Sequence, residues 1–284
     1  MNYRHQFHAG NFADIFKHSV LVILLDALSR KSAPWCYFDS HAGAGLYNLQ
    51  SDESRRGGEA AGGICRLWPV RAAAPAPVAA LCAAVAAVNP GLDHGALPRF
   101  YPGSPLVAAA MARASDRLVL AELQPEEAQL LRTHLRRDAR AAVHLRDGYE
   151  MLKALTPPAE RRGLVLIDPP FESPTEFAHM LQALRVMHGR WPEGVCALWY
   201  PLKDPPAVQR FERELLRLKL RRVLLAELRV AAPAAPGFNA CGMALINPPW
   251  QCEHAIETTL GFLRDTLAPQ AGSHRLRWLA SAQA

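Results

Sequence analysis

The run Leu164-Val165-Leu166-Ile167-Asp168-Pro169-Pro170-Phe171 closes an apolar, strand-like segment with a carboxylate, a backbone carbonyl and an aromatic face. That set suits one kind of nucleophile, an exocyclic amine whose lone pair is delocalised into an aromatic ring. Asp168 and the Pro169 carbonyl can each accept one amine hydrogen and turn the lone pair towards an electrophilic carbon such as a sulfonium methyl. Phe171 offers a platform for a base taken out of its stack. Tandem prolines keep the backbone extended, and Pro170 brings no N–H of its own. The work is placement and hydrogen bonding more than proton abstraction, because the amine proton becomes acidic only once the methyl has arrived. Asp-Pro-Pro is common in ordinary loops, but a strand before it and an aromatic ring after it make a much rarer combination.

Three other strand ends carry residues that can hold a nucleoside. Asp39-Ser40-His41-Ala42-Gly43-Ala44-Gly45 is a glycine turn that lets the backbone approach a ligand. It is not G-x-G-x-x-G, and no helix start follows at once, which fits a nucleoside–amino-acid ligand better than a pyrophosphate. Steric demands of a turn explain such glycines equally well. Leu120-Ala121-Glu122-Leu123 ends in a carboxylate that can accept from both hydroxyls of a ribose. In Arg146-Asp147-Gly148-Tyr149, Asp147 can accept from an adenine amine and Gly148 permits close approach of a ring, although a plain Asp-Gly turn has the same appearance. Two segments rival Asp168. Asn247-Pro248-Pro249-Trp250 has the same chemistry in principle but follows the last apolar strand, and Lys203-Asp204-Pro205-Pro206 lacks the aromatic ring. Position in the fold decides between them, and it favours Asp168.

Positioning these strand ends requires an alternating framework. Apolar runs with β character lie at Trp35–Phe38, Arg117–Leu120, Ala142–Leu145, Leu164–Ile167, Val195–Tyr200, Val223–Val230 and Met243–Ile246. Helical patterns fall between most of them, at Pro105–Ala114, Glu126–Arg136, Glu176–His188, Ala207–Leu220 and Glu253–Leu267, and Asn11 caps an apolar helix ahead of the first strand. Continuous apolar strands alternating with helices predict a mostly parallel sheet covered on both faces. Ala231–Gly242 is too short and too rich in Pro and Gly for a crossover helix, so the last strong pair is predicted to be an antiparallel hairpin. Seven strands with a terminal antiparallel hairpin match the class I (Rossmann-like) methyltransferase plan, while periodicity alone also allows a nucleotide-binding dehydrogenase, so the strand ends decide. Residues 49–98, polar at first and then rich in Ala, Pro and Arg, are expected to form a small helical insertion in a domain made of 1–48 and 99–284. The insertion also accounts for the long gap between the glycine turn and Glu122.

Composition narrows the class. A net charge of +6 suits a polyanionic partner without requiring one, and the basic residues Arg55, Arg56, Arg66 and Arg71 are candidates to hold phosphate backbone, although a merely solvated charged surface explains them equally well. The six cysteines stand singly, with no C-x-x-C pair and no histidine spacing of a metal site, so no metal is expected. The polar opening residues are no signal peptide, and the apolar stretch Val20–Leu28 is interrupted by Asp26 and too short for a bilayer. A cytoplasmic protein is expected.

Read together with the opening segment, these motifs resemble the RlmJ family of bacterial adenine-N(6) methyltransferases of large-subunit ribosomal RNA. The resemblance rests on Tyr3-Arg4-His5-Gln6-Phe7-His8-Ala9-Gly10-Asn11-Phe12-Ala13-Asp14 with Lys17-His18, on Ser40 to Gly45, and on Tyr101-Pro102-Gly103-Ser104-Pro105. It extends to Glu122, Asp147-Gly148, Asp168 to Phe171, Trp199-Tyr200-Pro201 and Asn247 to Trp250. It runs nearly end to end and is weakest in the insertion. The family more often carries Tyr where this chain has Phe171, a change that keeps the ring. The resemblance implies S-adenosylmethionine as cofactor, held by His18, His41, Ser104, Glu122, Asp147, Gly148 and Asp168. It further implies Asp168 as the catalytic residue, Tyr3 beside the target base with Pro169 and Phe171, and large-subunit ribosomal RNA as partner, with no protein partner or membrane. The opening segment then reads as a lid on the methionine end of the cofactor. Active-site residues alone do not separate RNA from DNA adenine, and an assembly factor with a vestigial pocket is a second alternative, opposed by intact Glu122, Asp147 and Asp168. A nicotinamide dehydrogenase is disfavoured by the missing phosphate loop.

Overall fold

The computed structural model describes residues 4–93, 95–232 and 235–280. After a 3-10 turn at His5–Phe7 come α1 (Phe12–Ser29), β1 (Cys36–Asp39), β2 (Leu46–Asn48), α2 (Asp52–Gly57), α3 (Ile64–Leu67), α4 (Ala76–Ala87) and β3 (Phe100–Pro102). Next are α5 (Ser104–Met111), β4 (Arg117–Glu122), α6 (Pro125–His134), β5 (Ala141–Leu145), α7 (Gly148–Leu155) and β6 (Gly163–Ile167). The described chain finishes with α8 (Glu176–Arg190), β7 (Val195–Pro201), α9 (Pro205–Arg217), β8 (Val223–Arg229), β9 (Ala240–Ile246), α10 (Cys252–Leu267) and β10 (Ser273–Ala280).

Each of the expected strands forms, and they assemble with one more into an eight-stranded sheet ordered β10-β8-β9-β7-β6-β1-β4-β5. The pairs β1–β4, β4–β5, β1–β6 and β6–β7 are parallel, whereas β9 runs antiparallel to both β7 and β8. The expected hairpin is therefore β8–β9. The expected count of seven is corrected by β10, which pairs antiparallel with β8 at the sheet edge. Its sequence, Ser273-His274-Arg275-Leu276-Arg277-Trp278, is mostly polar or charged and none of its residues is fully buried at the sheet edge, so a search for continuous apolar runs passes over it. A separate ribbon, β2 paired with β3, brackets α2 to α4.

The sheet is covered on both sides. On one, α1 packs against α4, α5 and α10, and on the other lie α7, α8 and α9. Asn11 caps α1 by accepting from the Asp14 amide at 2.9 Å. Every residue from Phe12 to Leu25 is buried, as in a helix surrounded by protein. Asp14, Lys17 and His18 are therefore polar groups inside the molecule and need partners. Ile64, Leu67 and Trp68 of the segment between β2 and β3 join the same core as Leu21 and Leu24 of α1. No single helix among the described residues is long and apolar enough to cross a membrane.

Candidate active site

Because β5, β4, β1, β6 and β7 are parallel, their carboxyl ends share one edge, and the chain order changes direction at β1. Ligands of open α/β sheets bind outside such a switch point. A cleft of about 920 Å³ lies there, walled by the opening segment, the strand ends and the Asp168–Pro174 loop. His18, His41, Ser104, Glu122, Asp147, Gly148, Asp168, Pro169 and Phe171 all line it, residues far apart in sequence that the sheet brings to one place. Tyr3 lies outside the described residues.

Asp168 follows β6 and is tied to α1. Its Oδ2 accepts from Lys17 Nζ at 2.5 Å, and the same ammonium contacts Asp14 Oδ1 at 3.0 Å. Asp14 Oδ2 in turn accepts from the Gly10 amide at 2.9 Å and faces His5 Nε2 at 3.0 Å. Burial pushes Lys17 towards the neutral amine, but the Asp14 and Asp168 carboxylates outweigh it and hold its pKa well above the ordinary value. Burial likewise opposes ionisation of Asp14, and His5 and Lys17 overcome it, so its pKa sits well below the usual range. The lysine fixes one oxygen of Asp168 and leaves Oδ1 as the oxygen it does not use.

His18 is fully buried, its Nδ1 2.8 Å from the Tyr101 hydroxyl and its ring stacked on that of Tyr101 at 5.6 Å. Its Nε2 is buried with no hydrogen-bond partner among the described residues. Burial, aided by the neighbouring Lys17 charge, pulls its pKa to about 3, so the imidazole is neutral at physiological pH. A buried polar atom without a partner costs free energy unless something meets it, and a polar ligand in the cleft is the natural counterpart. The residues present thus fit a nucleoside–amino-acid cofactor.

The remaining strand-end groups are held firmly. Glu122 Oε2 accepts from the Gly43 amide at 2.8 Å and Oε1 from the Gln124 amide at 2.7 Å, which fixes the glycine turn to β4. Ser104, the first residue of α5, donates to Asp39 Oδ2 at 2.7 Å, as Tyr37 does at 2.7 Å. Burial raises the Asp39 pKa to about 6. His41 Nδ1 lies 2.8 Å from Ser40 Oγ, with its ring edge-on to Tyr149 at 5.3 Å. Asp147 caps α7, accepting from the Glu150 amide at 2.9 Å. Gly148 lines the cleft and also meets a packing constraint. A Cβ there would lie 1.9 Å from the Ser40 carbonyl oxygen, so the first turn of α7 touches the loop after β1 backbone to backbone.

Phe171 has φ +48°, a left-handed conformation that costs a bulky residue on the order of 1–3 kcal/mol. Its ring meets Phe177 edge-on at 5.0 Å and Trp199 at 5.8 Å, so its orientation is set by packing. Sequence reasoning gave no individual role to Lys17, Asp14 or Asp39. The signal that could have found the first two is a carboxylate and an ammonium three residues apart on a helix otherwise apolar all round. Of the basic residues proposed for phosphate, Arg66 donates to the Leu267 carbonyl at 2.7 Å and Arg71 stacks over Trp68 at 4.4 Å, while Arg55 and Arg56 are exposed.

The rival motif lies at the other end of the sheet. Since β9 is antiparallel, Ile246 pairs with Cys196 and Val223 at the beginnings of β7 and β8. Asn247 Nδ2 there donates to the carbonyls of Pro192 at 2.6 Å and Gly194 at 3.1 Å, a structural assignment. Asp204 caps α9, accepting from the Ala207 amide at 3.1 Å.

The family model described as "Ribosomal RNA large subunit methyltransferase D, RlmJ" matches residues 32–280. The chain is 40% identical over 275 residues to "Ribosomal RNA large subunit methyltransferase J" of Escherichia coli, covering 96% of each. It is 38% identical over 281 residues to the protein of the same name in Haemophilus influenzae, covering 98% of this chain and 99% of that one. A crystal structure of a Legionella pneumophila protein superposes with a TM-score of 0.88 at 31% identity, over 95% of this chain and 98% of that one. A switch-point cleft on a methyltransferase sheet and full-length matches of this kind lead to one statement: the chain belongs to the RlmJ family of ribosomal RNA large subunit methyltransferases.

Proposed function

We propose that the protein transfers a methyl group from S-adenosylmethionine to the exocyclic amine of an adenine in large-subunit ribosomal RNA. The observation that carries this reading is Asp168-Pro169-Pro170-Phe171 opening into the same cleft as Glu122, Asp147 and the unpartnered His18 Nε2. When bound, S-adenosylmethionine supplies a methyl activated by its sulfonium. Glu122 holds the ribose with the lone pairs left over from its two backbone bonds, Asp147 meets the adenine amine of the cofactor, and His18, His41 and Ser104 line the amino-acid end. Asp168 Oδ1 and the Pro169 carbonyl accept the two hydrogens of the target amine, Lys17 keeps the carboxylate from rotating, and Phe171 supports the flipped base. For Tyr3, which lies outside the described residues, the family resemblance implies a role beside the target base. Residues 49–98 form an insertion that braces this segment. Its support is Glu59, which accepts from Asn11 Nδ2 at 2.8 Å and faces His8 Nδ1 at 2.7 Å. A ribosomal RNA substrate fits a cytoplasmic location.

Two substitutions probe the two halves of the site. Glu122→Ala is expected to weaken S-adenosylmethionine binding by about 1.5–3 kcal/mol, the range for hydrogen bonds to a charged group, and Glu122→Gln by less. Unchanged affinity of folded Glu122→Ala in calorimetry removes the ribose role. Phe171→Tyr is expected to keep activity, whereas Phe171→Ala loses base stacking worth on the order of 1–3 kcal/mol. Equal rates for Phe171→Ala and wild type at limiting RNA exclude stacking there. The reading as a whole is tested by labelled methyl transfer offered to large-subunit RNA, small-subunit RNA and DNA. Label in the first alone is expected, and label in DNA alone overturns it.

A further inference from the structure

Helix α9 turns a basic face outward from the mouth of the cleft. Its buried side is Val208, Phe211 and Leu215, and at the same spacing of three and four residues its exposed side carries Arg210, Arg213 and Arg217. Lys203, just ahead of the helix, and Arg210 both line the cleft. Lys203 is exposed and held with its ammonium 5.2 Å over the Phe238 ring, a contact that orients it without neutralising it. Seven residues of helix carry the row about 10 Å from Arg210 to Arg217, and Asp204 at the helix start is spent as the N-cap. The two acids within α9 are engaged as well. Glu212 is paired with Arg277 at 2.5 Å and Glu214 with Arg217. Arg217 is thus already paired with Glu214, whereas Arg210 and Arg213 carry charges that no ion pair meets among the described residues, and the row is continuous with the cleft through Arg210 and Lys203.

We infer that Lys203, Arg210, Arg213 and Arg217 form a track for the phosphate backbone of the RNA strand that flanks the target nucleotide, an inference that rests on the function proposed above. The chemistry fits a polyanion. A row of exposed cations positions a strand without reading its sequence, and a flipped base brings its own backbone to the rim of its pocket. Lys203 and Arg210 meet the phosphates nearest the flipped base, and Arg213 and Arg217 those further along. The insertion arginines Arg55 and Arg56 have no comparable continuity with the cleft.

The test uses the full chain, with a labelled single-stranded oligouridine as binding probe and large-subunit ribosomal RNA as methylation substrate. For the variant Arg210→Ala/Arg213→Ala/Arg217→Ala, the slope of log affinity against log salt is expected to shrink by about 2, since each phosphate contact to a single strand contributes about 0.7. KM for RNA should rise at least ~10-fold at moderate salt, with S-adenosylmethionine affinity unchanged as evidence of an intact fold. The matching triple Arg→Lys variant should recover most of the slope, because point charge suffices for non-specific phosphate contact. An unchanged slope in the folded Ala variant overturns the track while wild-type methylation leaves the proposed function standing. Wild type that neither binds the oligouridine nor methylates the RNA overturns both.

Discussion

Single-turnover methyl transfer by Asp168→Ala is expected to fall at least ~10³-fold, with S-adenosylmethionine affinity within a few fold of wild type. A loss of that size is about 4 kcal/mol, within what orientation of a nucleophile can supply. The carboxylate is the half-buried acceptor at the end of β6, and Lys17 at 2.5 Å keeps it in one pose. Asp168→Asn, which retains one acceptor oxygen but weakens the tie to Lys17, should fall between the two. Asn247→Ala, by contrast, should leave the chemical step alone and cost stability. It loses two hydrogen bonds to the carbonyls of Pro192 and Gly194, and alanine must adopt φ +50° where asparagine is at ease. The Pro192 bond is exposed and the Gly194 bond partly buried, so about 0.5–1.5 kcal/mol per lost bond is the expected range. A dead Asn247→Ala beside an active Asp168→Ala reverses the assignment of the two motifs.

The second large effect is on stability. Lys17→Met keeps the aliphatic stem of a side chain that is only 7% exposed but removes the charge between Asp14 and Asp168. Taking one partner from a buried ion pair typically costs 3–5 kcal/mol, and urea unfolding is expected to show a loss of that order. The pH dependence carries a definite sign. Asp14 has its folded pKa depressed below the ordinary 3.8, so its stabilisation is present above that value and is lost as pH falls through the depressed one. Removing Lys17 shrinks the depression, and the acid-unfolding midpoint of the variant should move to higher pH. A midpoint and urea stability equal to wild type contradict the network as described.

Much of the framework was legible because its signals are local. Strands β1, β4, β6, β7, β8 and β9 are nearly continuous in apolar residues, and buried parallel or mixed strands must be. The hairpin β8–β9 followed from a connection too short for a helix. Strand β10 was missed because its edge sequence, rich in polar and charged residues, shares its composition with loops, and α7 because its cap, Asp147, reads equally as an Asp-Gly turn. The strand-end residues could be assigned to one site because a parallel sheet aligns its carboxyl ends whatever the length of the intervening chain. Lys17 could not be assigned a role in the same way. Its partner Asp168 lies 151 residues away, and nothing in α1 says which strand end it faces. The close approach of Gly148 to the Ser40 backbone is likewise a contact that no local pattern encodes.

The central claim is the identity of the product, and nucleoside mass spectrometry addresses it directly. Purified protein is incubated with isotopically labelled S-adenosylmethionine and unmethylated large-subunit ribosomal RNA, and the RNA is digested to nucleosides. The account predicts label in N(6)-methyladenosine with wild type and none with Asp168→Ala. Label in any other nucleoside, or equal label with Asp168→Ala, contradicts it.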